Sequence, residues 1–160
     1  MTLLHKFEAN DHHVLQVAIN PLFNHSAYSS TMEIAVEGEL YWAEIVGSKQ
    51  GSSSCEYLVC FKEEKSSRSI FSMQTVYKLE VYTINKRSPC SLGTPPAIFL
   101  LDQFVNKVHI VGNTAIAIDY EQSKLLFLDL VNLEKKPHKI SVCDPDTEAD
   151  IATLRTNNQN

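Results

Sequence analysis

Apolar and β-branched residues recur along this chain in short runs separated by polar or glycine-containing breaks. Runs of this length, alternating or continuously apolar, predict strands rather than helices. They fall at 13–19, 32–36, 40–46, 56–62, 75–84, Ala97–Leu101, 105–111, 114–120, 124–131 and 138–143. The run 75–84 reads TVYKLEVYTI, with β-branched and aromatic residues along its length, the composition that suits a pleated, half-buried surface. Gly112-Asn113 is a tight-turn pair between two runs, and Glu37-Gly38-Glu39 predicts a hairpin turn between 32–36 and 40–46. Two polar stretches, GSKQGSSS at 47–54 and KRSPCSLGTPP at 86–96, read as a flexible link and a crossover loop. Neither is long enough to force a domain boundary.

Only the C-terminal stretch carries a helix signal. Asp144 is placed to cap, Pro145 suits the first turn, and acidic residues favour the positive end of the helix dipole. The expected fold is therefore all-β over 1–143, followed by a short helix and a frayed tail over 144–160. Ile151 and Leu154 lie on one face of that helix.

The chain has 160 residues, 44% hydrophobic and 21% charged, which is ordinary globular composition with enough apolar surface for a core. Its net charge of −5 runs against nucleic-acid binding, where phosphate neutralisation calls for a basic stripe. Lys135-Lys136-Pro137-His138-Lys139 is the nearest approach to one, and Glu134 flanks it; it reads as a solvated turn. No apolar run approaches the roughly 20 residues of a membrane span. The expected partner is thus a protein or a second copy, with no nucleic acid and no membrane.

The four cysteines, Cys55, Cys60, Cys90 and Cys143, include no C-x-x-C pair, and Cys55 and Cys60 are spaced for no common zinc knuckle. MTLLHKFEAN breaks its apolar patch with charge too soon for a signal sequence. The expectation is an intracellular protein, cytoplasmic or nuclear, whose cysteines are free thiols and whose Asn24-His25-Ser26 sequon is without consequence. Asp11-His12-His13 matches the motif of a phosphoesterase family, but the further Asp and His ligands that hold two metal ions in that chemistry are missing. Asp144, Asp146 and Glu148 lack the glycine and distal glutamate of a calcium loop. Neither a nucleophile elbow nor a phosphate-cradling glycine loop occurs. The reading is therefore non-catalytic, with no cofactor.

The stretch 104–142 is the most informative. FVNKVHIVGN, TAIAIDYEQS, KLLFLDLVNLEK and KPHKISV predict four strands joined by tight turns, about one propeller blade in length. Leu126, Leu128 and Leu130 would line one face of its third strand, and Leu125, Phe127 and Val131 the other. Burial on both faces suits a strand between stacked blades or at the centre of a sandwich. A looser echo occurs at 55–73 and a poorer one at 77–89.

On these residues the segment 104–142 resembles a blade of a WD40-like or related β-propeller. It has no Gly-His pair, and Leu128-Asp129 stands where Trp-Asp would be. The resemblance implies antiparallel blades of a propeller or partial propeller, serving as a protein-interaction or scaffold module of a larger complex. Trp42, the single tryptophan, stands beside Tyr41. The two are candidate protein-contact residues, although a tryptophan in a β domain also packs readily in the core. A PH- or PTB-like module closed by the C-terminal helix, or an accessory domain of an enzyme complex, is the alternative.

Overall fold

In the computed structural model, the described residues are 2–9, 12–19, 30–36, 39–50, 53–64, 75–85 and 91–142. Every regular element among them is a strand, and all pairings are antiparallel. The fold is all-β, as the apolar pattern predicts. The expected helix at 144–155 lies outside the described residues. Two compact units divide the chain, residues 1–103 and 104–160.

The first unit contains two sheets. Strands β1 (Thr2–Ala9), β2 (His12–Ile19) and β3 (Ser30–Val36) form a three-stranded meander. The second sheet runs β4 (Leu40–Gln50), β5 (Ser53–Glu64), β6 (Val76–Asn85). Two short strands, β7 (Ser91–Leu92) and β8 (Ala97–Leu101), share the far edge of β6. Leu15 of β2 packs with Leu40, Leu58 and Cys60 of the larger sheet, and Ile34, Ala43, Ile45, Tyr82, Ile84 and Leu92 close around them. In β5 the four consecutive residues Leu58, Val59, Cys60 and Phe61 are all buried. Neighbours in a strand point to opposite faces, so β5 is covered on both sides. Each such fully buried large side chain contributes about 1.5–3 kcal/mol of hydrophobic stabilisation.

Several expectations are corrected here. Glu37-Gly38-Glu39 does not close a hairpin, because β3 and β4 belong to different sheets. A turn signal reports that the chain reverses; it does not report which edges then pair. GSKQGSSS is not a flexible link either. Pairing of β4 with β5 continues to Gln50↔Ser53, so the described residues of that stretch, 47–50 and 53–54, are strand. Polar residues serve well there because ladder hydrogen bonds need only backbone. The N-terminal segment, passed over in the apolar pattern, forms β1 and pairs along its whole length with β2.

In the second unit, β9 (Lys107–Val111), β10 (Thr114–Asp119), β11 (Lys124–Asp129) and β12 (His138–Ser141) form one four-stranded meander in sequence order. Gly112 has φ 59°, while no positive φ occurs at Asn113. Positive φ at only the first of two loop residues is the pattern of a type II′ turn, which takes glycine there at no steric cost. Asp119 and Asp129 end successive strands in the same way. Asp119 Oδ1 accepts the N–H groups of Glu121 and Gln122 at 3.0 and 3.1 Å. Asp129 Oδ1 accepts those of Val131 and Asn132, both at 2.9 Å. Such side-chain turns reverse the chain by supplying acceptors that the ladder no longer provides.

One face of this meander, carrying Val108, Ile110, Ala115, Ala117, Leu126 and Leu128, is buried. The other carries Ile116, Ile118, Leu125 and Phe127, which are half-buried, and His109 and Val111, which are exposed. The expectation of two-sided burial along 124–131 is therefore met on the Leu126/Leu128 face only. The strand ends at Asp129, and Val131 stands in solvent on the turn.

Candidate functional site

Three features in the described residues have the chemistry to act as sites. The first gathers Tyr41 and Trp42. Alternation along β4 should send these neighbours to opposite faces. The pairing shifts register between Leu40 and Trp42, with Leu40 opposite Lys62 and Trp42 opposite Phe61. This bulge aims both rings at Phe61: the Tyr41–Phe61 centroids are 5.7 Å apart and the Trp42–Phe61 centroids 5.6 Å, the latter pair stacked. Tyr77 of β6 completes the group, stacked on Phe61 at 5.4 Å and tilted to Tyr41 at 5.8 Å. Phe61 is fully buried, and the other three are half-buried. Re-aiming side chains is what bulges commonly do. Tyr41 donates its hydroxyl to Glu63 Oε2 at a long 3.4 Å. Burial, then the neighbouring Glu63 and Glu39 carboxylates, raise the Tyr41 phenol above its ordinary value, so it stays a neutral donor. The result is an amphipathic patch with an apolar body and a polar rim.

The second feature is a polar knot on the opposite face of the same sheet. Glu80 is buried and opposes Cys60, while Lys62 opposes Lys78. Glu80 Oε1 lies 2.9 Å from Lys62 Nζ and 3.5 Å from Lys78 Nζ, and Lys78 also reaches Glu64 at 3.6 Å. Tyr82 donates its hydroxyl to Glu80 Oε2 at 2.9 Å. Burial, followed by the Glu80 charge and this hydrogen bond, raises the Tyr82 phenol. The knot holds acids, bases and a thiol, but each charge is matched inside it and Cys60 faces burial rather than solvent. Its arrangement suits holding the register of β5 on β6 rather than proton transfer.

Burial, and secondarily Glu80, pushes the Cys60 thiol up to about 12. The thiolate is the reactive form, so peptide-resolved iodoacetamide labelling of the folded chain at pH 8 is expected to modify the exposed Cys55 and to spare Cys60 until denaturant is added. Equal labelling of the two in the folded state would contradict this burial. Because folding favours the protonated thiol, its contribution is complete below the unfolded thiol's ordinary value of about 8.5. It is lost as pH rises from there towards 12.

The third feature is a shallow pocket of about 220 Å³ in the second unit, lined by Thr114, Phe127, Leu128, Asp129, Lys135, Lys136 and His138. The Phe127 and His138 rings meet at 6.2 Å. Backbone N–H groups of Asn132 and Val131 hold the Asp129 carboxyl below the usual carboxylate range, with a lesser contribution from Lys135.

No group of three or more His, Cys, Asp or Glu among the described residues stands where it could hold a metal. His12 and His13 open β2, paired with Ala9 and Glu8, and Asp11 lies outside the described residues, as do Cys90 and Cys143. No described helix is long and apolar enough to cross a membrane. Sequence reasoning named Tyr41 and Trp42 but missed the knot. Its only trace is charge at alternate positions, Lys62 and Glu64 on one strand, Lys78 and Glu80 on the next.

No known protein family, curated protein or solved structure matches this chain.

Proposed function

We propose that this chain is a non-catalytic protein-interaction module of a larger assembly, with 104–142 acting as a propeller-like blade. The observation that carries the reading is the four-stranded meander β9–β12, in which β9–β11 have one buried face and a second, half-buried face where Ile116, Ile118, Leu125 and Phe127 stand among polar residues. A sheet with apolar residues on both faces is suited to lie between neighbours. Tyr41 and Trp42 are the proposed partner contacts: large, stiff rings held on a bulge, of the residue types that dominate interface energetics.

Copurification from the native source, combined with light scattering of the isolated chain, tests this. Association with a partner or with itself is expected, and Tyr41→Ser with Trp42→Ser should weaken it by about tenfold or more, the scale of a hot spot. A monomer that recovers no protein would overturn the reading. Circular dichroism of the variant separates lost binding from lost folding.

A PH- or PTB-like module is the second reading. What favours it is the first unit, where two antiparallel sheets pack over Leu15, Leu58 and Cys60. Stability unaffected by deletion of residues 144–160 would count against it, because that segment supplies the closing helix in such a module.

A further inference from the structure

We infer that the turn between β11 and β12 is a docking surface for an acidic, apolar-containing segment of a partner protein. This rests on the interaction-module reading and gives that reading a partner chemistry. Every residue from Val131 to Val142 is exposed. Among the described residues, eight large hydrophobics are exposed, and two of them, Val131 at 74% and Leu133 at 45%, lie on this turn; Ile140 and Val142 follow along β12, which carries Val142 N–H to Ser123 O at the other end of β11. Exposed apolar residues scattered singly need no explanation, whereas a concentration with a polar rim marks a contact surface. Here the rim is cationic, since Lys135 and Lys136 line the pocket beside Phe127 and His138.

The surface is preformed. Leu130 N–H donates to Asn113 O at 2.9 Å and Lys135 N–H to Asn132 O at 3.2 Å, and Asp129 Oδ1 takes two further backbone N–H groups at 2.9 Å. A partner therefore meets an ordered turn and loses little entropy in ordering it. Asp129 offsets part of the Lys135 charge, which leaves Lys136 as the stronger anchor.

Charge selects the occupant. Lys135 and Lys136, with Lys139 on β12, outnumber Asp129 and Glu134 and attract a segment bearing a few carboxylates, while the chain's net charge of −5 opposes a long polyanion such as a nucleic acid. The apolar residues between and beside the cations call for apolar side chains on the same segment.

The test uses the full chain and a labelled synthetic peptide alternating glutamate with valine, read by fluorescence anisotropy, with a lysine–valine peptide as its counterpart. The glutamate peptide should bind, and K135E/K136E should weaken it about tenfold or more, with the lysine peptide now preferred. Val131→Ser with Leu133→Ser keeps the charges and should also weaken binding. Unchanged thermal unfolding shows that either variant still folds. Equal binding of the glutamate peptide by wild type and K135E/K136E would overturn the inference. So would duplex DNA or anionic vesicles binding at these lysines when the peptide does not, or a wild-type dimer that K135E/K136E dissociates. A native partner that copurifies equally with wild type and K135E/K136E sinks this surface and leaves the interaction reading standing. Copurification of nothing with either sinks both.

Discussion

Phe61→Ala is expected to lower the unfolding free energy by about 3–5 kcal/mol, the range for removing a fully buried aromatic ring. Phe61 has no exposed surface and stacks on both Trp42 and Tyr77, with Tyr41 tilted against it. Truncation removes the apolar transfer term and leaves a cavity beneath three rings, two of them held by the β4 bulge, which limits how far the site can collapse. Domains of this size have only about 5–15 kcal/mol of stability in total, so the urea midpoint should fall steeply. Phe61→Leu keeps most of the volume and should cost much less. A small change for Phe61→Ala would mean that the rings close over the gap, and the patch at Tyr41 and Trp42 would then be soft rather than pre-organised.

Glu80→Ala is expected to destabilise by a similar amount, about 3–5 kcal/mol, for a different reason. The side chains of Lys62 and Glu80 are only 12% and 8% exposed, with their charges 2.9 Å apart. Removing the carboxylate strands the Lys62 ammonium in a poorly hydrated site and leaves the Tyr82 hydroxyl without the acceptor it now uses. Lys78 suffers less, because Glu64 remains within 3.6 Å. Replacing both partners, Lys62→Met with Glu80→Leu, removes the uncompensated charge and should restore most of the loss. Urea titration of the two variants checks this. If Glu80→Ala proved as stable as the double variant, Lys62 must reach water when its partner is gone, and the knot would not hold the register of β5 on β6.

Both residues bear on how much of this protein is legible in one dimension. Phe61 sits in the run EYLVCFK, whose aromatic and β-branched residues predict a strand, while the covering of both its faces at Leu58, Val59, Cys60 and Phe61 follows from the packing of the sheet. The meander at 104–142 is legible for the same local reason: each strand–turn signal lies within a few residues of the next. The two-residue turn at Gly112-Asn113 then leaves β9 and β10 no other way to pair. Glu80 is different. In VYKLEVY it reads as a solvent-facing charge on a strand, and only the register Cys60↔Glu80 and Lys62↔Lys78 turns it into the centre of a buried network. The segments 32–36 and 40–46 show the same limit. Each is a strand as expected, yet they enter different sheets because β4 finds a longer partner in β5.

The all-β character of the chain, most strand positions and the blade-length meander were determined by local pattern alone. Which strand is covered on both faces was not: β5 is, whereas β11 is buried on the Leu126/Leu128 face alone. Tertiary structure decided the rest: which edges pair, where β4 bulges so that Tyr41 and Trp42 reach the same ring, and which charges end up buried together. Those outcomes depend on register between segments distant in sequence. A shift of one residue exchanges the two faces of a strand, and the free energy that selects one register over another exists only once both strands are in place.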